Sequence, residues 1–346
     1  MKALNILVIQ PDCREYRVPL FKSLASFFRV SILHFGEKKF TNHEHITEVD
    51  MKLKKAASFK YIYSLNKECN KYDCIVPVFD PHWLNCFFLP LLTKKPVIFW
   101  GHGVGHSKLI SYVRRRVGKK AKALIAYDEA GKQSLIDIGM NPQKLFIAPN
   151  TMHVYNTINF AEEEKNEILY VGRLQKRKEL DLLIRCFANI QERLPKNIRL
   201  KILGNGDDIL LELKELVEKH NLTNKVIFVK GTTDQKKLAQ QFKKAYCYAS
   251  PGHVGLGVLH SFAYGVPVIT FRERDHAPEV SNIEHGLNGE LVKGGIKEFG
   301  DSLVKLINSG SYRNLGNNAY LHYSNKRTIN HMVDGFKEAI KYSLRE

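Results

Sequence analysis

Short runs of β-branched and aliphatic residues alternate with amphipathic stretches along this chain, and they do so in two series. The first series is "NILVIQ", "VSILHF", "CIVPVF", "VIFWG", "ALIAY" and "LFIAPN". After the polar stretch "NTMHVYNTINFAEEEKNE" the pattern restarts with "ILYVG", "LKILG", "VIFVKG", "CYASP", "VPVIT" and "GELV". Strands that are apolar on both faces need cover on both sides, and helices between them supply it in a parallel sheet. The pattern predicts an α/β chain of two Rossmann-like, doubly wound domains joined near residues 150–165, with ligand sites at the carboxyl ends of the strands. A length of 346 residues agrees, since single cores stop growing at about 250–300 residues. Expected boundaries are 1–155 and 156–324, and a helical tail over about 325–346 either stays with the second domain or packs back on the first.

Hydrophobic residues at 44% and aromatics at 10% suffice for packed cores and exclude disorder. The formal net charge is +18, and residues 1–150 hold 24 Lys and Arg against 12 Asp and Glu. Nucleic acid, anionic lipid and phosphorylated substrates are all attracted to such a surface, and charge alone does not choose among them. Six cysteines (Cys13, Cys69, Cys74, Cys86, Cys186 and Cys247) form no CxxC pair and fit buried thiols in a reducing compartment. "MKALNILVIQP" reads as a first strand and not as a signal peptide, and "WLNCFFLPLL" is about half a bilayer span. A cytoplasmic chain without a membrane-crossing segment is expected.

Two stretches carry the chemistry. "ILYVG" runs into "GRLQKRKELDLLI", which sets Arg173 just past a strand and Lys178 near a helix start. Two cations there make a diphosphate clamp; the plain alternative is a basic surface loop. "SPGHVGLGVLHSFAYGVPVIT" holds glycines at 252, 255 and 257 before a helix and a buried strand. A glycine turn opens backbone N–H groups to an anion, but glycine also serves tight packing of helix on strand.

With "ILGNGDD", "VIFVKG" and "APEVSNIEHGLNGELV", these stretches resemble, in order, the landmarks of the family 4 (group 1) glycosyltransferases of GT-B fold. The resemblance is specific over residues 165–295 and looser before them. It implies two Rossmann-like domains facing across a cleft, a nucleotide diphosphate sugar bound by the second and an acceptor bound mainly by the first. It implies retention of configuration, by a front-face mechanism in which the leaving phosphate takes the acceptor's proton. Arg173 and Lys178 would hold the diphosphate, assisted by the backbone amides of Gly255, Leu256 and Gly257. The family's pair of glutamates falls here on Gly252 and His260: His260 retains a ribose hydrogen bond, whereas Gly252 offers only backbone. A replacement acid, Glu279 of "RDHAPEV", either contacts the sugar or serves a helix start, and Asp275 is read as a helix cap.

In the first half, "VIFWGHGVGHSK" puts His102 at a strand end, facing the reacting sugar or satisfying loop backbone, with His106 at a helix start. Arg14, Tyr16 and Arg17 of "QPDCREYRVPLF" suit a phosphate-bearing or sugar acceptor, or else form a salt-bridged loop. The basic helix "YVRRRVGKKAK", with Arg114, Arg115, Arg116, Lys119 and Lys120, fits anionic lipid head groups or a solvated face. The expected function is transfer of a sugar to a growing, lipid-linked glycan in bacterial-type surface polysaccharide synthesis (lipopolysaccharide or capsule). The enzyme would sit peripherally at the inner face of the membrane. No cofactor, essential metal or nucleic acid is expected. The rivals are a nucleotide-sugar 2-epimerase of the same fold and a basic nucleic-acid-binding protein.

Overall fold

The computed structural model describes residues 4–40, 43–103 and 107–345. Contacts divide the chain into one unit of Met1–His153 with Thr328–Glu346 and another of Val154–Arg327. The strands of the first unit are β1 (Asn5–Ile9), β2 (Arg29–Leu33), β3 (Ile46–Val49), β4 (Leu53–Ala56), β5 (Phe59–Ile62), β6 (Cys74–Pro77), β7 (Ile98–Gly101), β8 (Ala123–Ala126) and β9 (Leu145–Ile147). Parallel pairing gives the orders β3-β2-β1-β6 and β7-β8-β9, and the bridges Ile75↔Val97 and Val78↔Trp100 connect the two along β6. Antiparallel β4 and β5 form a separate hairpin. Along β1 the side chains alternate: Ile6 and Val8 enter one core, Leu7 and Ile9 the other. That period of two, with no polar face, is why the strand needs helices on both sides.

Within Met1–His153 the helices are α1 (Val18–Ala25), α2 (Leu65–Cys69), α3 (Leu84–Phe87), α4 (Leu89–Leu92), α5 (Lys108–Gly118) and α6 (Glu129–Asp137). The Asp128 carboxylate caps α6 by accepting from the Gly131 N–H at 2.7 Å.

The second unit repeats the plan with β10 (Glu167–Val171), β11 (Arg199–Gly204), β12 (Val226–Lys230), β13 (Ala245–Ala249), β14 (Val268–Phe271) and β15 (Gly289–Val292). Its order is β12-β11-β10-β13-β14-β15, all parallel, so strand order reverses between β10 and β13. A crevice for a ligand opens at such a reversal. The connecting helices are α7 (Leu180–Ile190), α8 (Asp207–Lys219), α9 (Gln235–Lys243), α10 (Gly257–Phe262), α11 (Ile296–Asn308) and α12 (Tyr312–Lys326). Every run of the two series quoted above forms a strand, and β3, β4 and β5 are additional.

The last helix, α13 (Ile329–Ser343), belongs to the first unit and packs on α1, β8 and β9. Its first turn is fixed by Thr328 and His331, whose Oγ1 and Nδ1 lie 2.7 Å apart. Met332, Phe336 and Ile340 are fully buried, and the Phe336 ring meets Trp100 edge-on at 4.8 Å. Close approach needs a glycine: a Cβ on Gly335 would overlap the Ile147 carbonyl oxygen and stand 2.7 Å from its carbon.

His260 corrects one expectation. Instead of opening to a ribose, its ring is packed in the core of the second unit, 4.8 Å from Phe242 and 5.7 Å from Tyr264. The residue is 4% exposed, and among the described residues Nε2 has no hydrogen-bond partner. Desolvation lowers its pKa to about 4, so the folded ring is neutral. Unfolding releases it to an ordinary histidine that takes a proton below about pH 6.5. The unfolded chain thus binds more protons, and stability drains as pH falls from about 6.5 towards 4.

Two outcomes follow from this packing. Gly335→Ala should lower unfolding stability by about 1–3 kcal/mol in urea titrations, the usual cost of forcing extra volume into a packed contact. His260→Leu removes an unpartnered buried nitrogen together with its proton linkage. The stability lost between about pH 7 and pH 4.5 should shrink by about 2 kcal/mol relative to the parent; an unchanged acid profile would mean that the ring is open to solvent.

Candidate functional site

At the carboxyl edge of the second sheet, β10 leads through Gly172 to Arg173, then to a 3-10 turn, Lys176–Lys178, before α7. Arg173 and Arg177 are exposed, and Lys178 is half-buried. The Lys178 Nζ donates to the His253 carbonyl at 2.6 Å, and Arg177 Nε donates to Gln175 Oε1 at 3.1 Å. Among the described residues no carboxylate pairs with Arg173, Arg177 or Lys178. The only acid in the loop, Glu179, is taken by Arg274, with Nε–Oε1 at 2.9 Å. Burial first, then the charges of Arg177 and Arg173, push the Lys178 ammonium down to about 8. Three cations thus repel one another at a strand end with no internal counter-charge, which is the electrostatic preparation for an anion.

The glycine turn explains why they stay there. The main chain of Arg177 and Lys178 runs against Gly252: Gly252 N–H donates to the Lys178 carbonyl at 3.2 Å, and His253 N–H to the Arg177 carbonyl at 2.9 Å. A Cβ on Gly252 would lie 2.7 Å from the Lys178 carbonyl carbon. An acid at 252 therefore has no room, and the departure from the family's first glutamate has a steric cause. Gly257 is small for a different reason: a Cβ there would stand 2.8 Å from the Tyr248 hydroxyl. Tyr248 and Tyr170 stack at 5.9 Å beneath the strand ends, and their hydroxyls donate to the carbonyls of Val171 and Arg173. The N–H groups of Gly255, Leu256 and Gly257 carry no hydrogen bond among the described residues.

Two histidines that sequence reasoning did not single out brace this turn. His276 Nε2 faces the Phe271 carbonyl at 2.7 Å and must donate, so its Nδ1 accepts the Val254 N–H at 3.2 Å. His253 Nδ1 faces the Asp275 carbonyl at 2.7 Å, which likewise makes Nδ1 the protonated nitrogen. Desolvation, opposed by Asp275 and aided by the charges of Lys178 and Arg177, lowers the His253 pKa, so Nε2 is left as a free acceptor beside the cations. The signal was its place next to Gly252, at the end of the loop that Lys178 reaches.

Glu279 is buried in the first turn of the 3-10 helix Pro278–Asn282, with Oε2 3.9 Å from where a Gly255 Cβ would stand. The cap of that helix is Ala277 without a side-chain bond, so the capping role expected of Asp275 is not made; Asp275 contributes its carbonyl to His253 instead. Next to Arg173, Leu174 lines a pocket of about 320 Å³ with Gly204, Asn205, Phe228 and Lys230 at the ends of β11 and β12. Its glycines let two loops nest: Gly206 adopts φ +146° against the Leu174 carbonyl.

In the first unit His102 is exposed just past β7, its ring 4.4 Å from that of Tyr127. His106 lies outside the described residues. Arg17 differs from its expected place in an open acceptor site. It is buried, with its guanidinium 4.8 Å from the Trp100 ring and donating to Asn150 Oδ1 at 2.8 Å. It ties α1's entry to the strand ends. Arg14 is exposed and 3.4 Å from Asp12, and Tyr16 is half-buried over Arg17 at 5.0 Å. Arg114 is also not free for a lipid surface: it donates to the carbonyls of Gly103 at 3.0 Å and Phe79 at 3.2 Å.

Residues 155–322 match the family model described as "Glycosyl transferases group 1". An uncharacterized glycosyltransferase of Methanocaldococcus jannaschii is 26% identical over 65% of this chain, and the match spans 63% of that protein's length. From Campylobacter jejuni, the alpha-1,4-N-acetyl-D-galactosaminyltransferase named for its GalNAc-alpha-(1->4)-GalNAc-alpha-(1->3)-diNAcBac-PP-undecaprenol acceptor is 24% identical over 74% of this chain and 68% of its own. Among solved structures, Anabaena HepE in complex with UDP superposes with a TM-score of 0.72 at 15% identity, over 98% of this chain and 99% of that one. Residues 155–322 therefore belong to the group 1 glycosyltransferase family, and two parallel, doubly wound sheets give the chain the GT-B fold.

Proposed function

We propose that this enzyme moves a sugar from a nucleotide diphosphate donor to a lipid-linked glycan acceptor in surface polysaccharide assembly. The observation that carries the donor half is the group of Arg173, Arg177 and Lys178, which among the described residues has no carboxylate partner and sits beside N–H groups of Gly255, Leu256 and Gly257 that carry no hydrogen bond there. A diphosphate supplies the charge that this edge lacks. As the bond to the sugar breaks, negative charge grows on the leaving phosphate, and fixed cations with backbone donors stabilise it more than the ground state. The leaving phosphate oxygen then accepts the proton of the attacking hydroxyl, which leaves no side-chain nucleophile to identify.

The remaining residues take supporting roles. The pocket past Leu174 receives the nucleoside, and the UDP held by the Anabaena structure makes uridine the first base to try. His253 Nε2 and the Glu279 carboxylate, both next to the glycine turn, accept hydroxyls of the donor sugar. His102 is the candidate that the first unit offers to the reacting sugar. The acceptor half of the reading draws on the undecaprenol-linked acceptor in the name of the Campylobacter relative.

Thermal-shift screening with UDP, GDP, CDP and their sugars tests the reading, because a ligand of the folded state raises apparent stability by mass action. Arg173→Ala and Lys178→Ala should each keep the fold and lower kcat/KM about 30- to 1000-fold, for a loss of about 2–4 kcal/mol of charged hydrogen bonding. Turnover at the parent rate in both would end the diphosphate assignment.

Lys178 also offers a signature in protons. Its depressed pKa of about 8 should rise when a diphosphate arrives, since an adjacent anion favours the charged form. Calorimetry in two buffers of different ionisation enthalpy should detect net proton uptake between about pH 8 and pH 9. Lys178→Arg, always charged, should abolish the uptake; uptake that persists in it belongs to another group.

A further inference from the structure

The net charge of this chain is concentrated. Residues 51–122 hold 15 Lys and Arg against three acids, Glu68, Asp73 and Asp80, an excess of +12 out of +18. The same segment carries most of the large apolar side chains that the described residues expose. On the β4–β5 hairpin, Phe59, Tyr61 and Tyr63 stand out at successive alternate positions. Register puts Lys54 opposite Tyr61 and Ala56 opposite Phe59, so a lysine shares the aromatic face. Leu91 and Leu92 follow on α4, at 55% and 48% exposure, and Leu109 and Ile110 on the first turn of α5, at 74% and 42%.

These elements are neighbours in the first unit. α3 contacts β5, α4 contacts α3, and α5 contacts α4. The hairpin is held firmly: Asn85 of α3 accepts the Ile62 N–H at 3.1 Å and donates to its carbonyl at 2.6 Å, and Lys60 N–H donates to the His82 carbonyl at 2.7 Å. Beside Tyr112 a surface pocket of about 530 Å³ is lined by Lys108 and Arg115.

We propose that this face, made of the outer side of β4–β5, α4 and the start of α5, docks the first unit onto an anionic lipid bilayer. Charge chooses the occupant. A second copy of the chain would bring one basic surface against another, whereas anionic head groups neutralise it. Leucine and isoleucine at the tips have no use against a nucleic-acid backbone, but they and the tyrosines suit the boundary between head groups and acyl chains. The partner rests on the proposed lipid-linked acceptor for its purpose and on this surface alone for its evidence. It also moves docking away from Arg114, whose guanidinium is already bonded.

The test is cosedimentation of the whole chain with vesicles of phosphatidylglycerol and phosphatidylcholine, against phosphatidylcholine alone, with UDP calorimetry on the same preparations. The parent should bind the anionic vesicles only. The triple Phe59→Ser, Tyr61→Ser, Tyr63→Ser and the pair Leu91→Ser, Leu92→Ser should each weaken binding by more than about 10-fold. Lys52→Gln, Lys54→Gln and Lys55→Gln together should weaken it by about 100-fold at low salt. Leu211→Ser on the second unit, itself exposed, should change nothing. The proposal is overturned if the parent ignores anionic vesicles, if the triple binds as the parent does, or if sedimentation velocity finds a dimer that the triple dissociates. A vesicle failure with UDP binding intact sinks the docking face and leaves the donor reading standing; loss of UDP binding with vesicle binding intact does the reverse.

Discussion

The carboxyl edge of the second sheet is organised by the approach of the Arg177–Lys178 main chain to Gly252. Three hydrogen bonds tie the two loops: Gly252 N–H to Lys178, His253 N–H to Arg177, and Lys178 Nζ to His253. Without a Cβ at 252 the loops sit close enough to hold Lys178 part-buried, and burial is the main reason that its pKa falls. The same contact excludes an acid. A carboxylate at that point would pair with Lys178 and quench part of the field before any ligand arrived. Absence of the acid and availability of the positive edge are therefore two consequences of one close packing, and His253 is held by the same bonds.

How far sequence alone reaches depends on whether a feature is local. Both sheets were legible because strands such as Ile6–Ile9 are buried on both faces and leave an uninterrupted apolar run. Arg173 and Lys178 were legible because a strand end followed by a helix start fixes their neighbourhood within a few residues. Less of the hairpin could be read. β4 and β5 are short, lysine-rich and outside the main sheets, so in "LKKA" and "FKYI" only Ile62 is buried and no apolar run marks them.

Side-chain direction is where sequence reasoning failed, and in each case a distant element decided it. His260 holds the motif's spacing, but Phe242 from α9 and Tyr264 meet its ring in the core. Arg17 sits in a loop that reads as open, yet Trp100, Tyr127 and Asn150 converge on it from positions 83 to 133 residues away. Arg114 heads a run of three arginines, and only the carbonyls of Phe79 and Gly103 distinguish it from the other two. Spacing assigns a residue to a face; packing assigns the side chain its partner.

The large positive charge accordingly separates into two kinds that composition cannot tell apart. On the first unit it is spread over exposed lysines among exposed aromatics, where salt screens it within about 8 Å at physiological ionic strength. On the second it is small in count but partly desolvated, with Lys178 between two arginines and a backbone carbonyl. Desolvated charge is screened far less and is directional, since its donors are fixed by main-chain bonds. A broad, salt-sensitive field suits attraction to an extended surface, whereas a narrow, salt-resistant one suits a single compact anion. The first kind needs only lysines in number, so it tolerates variation in position; the second depends on one glycine, because the loops that hold Lys178 part-buried can meet only where residue 252 has no side chain.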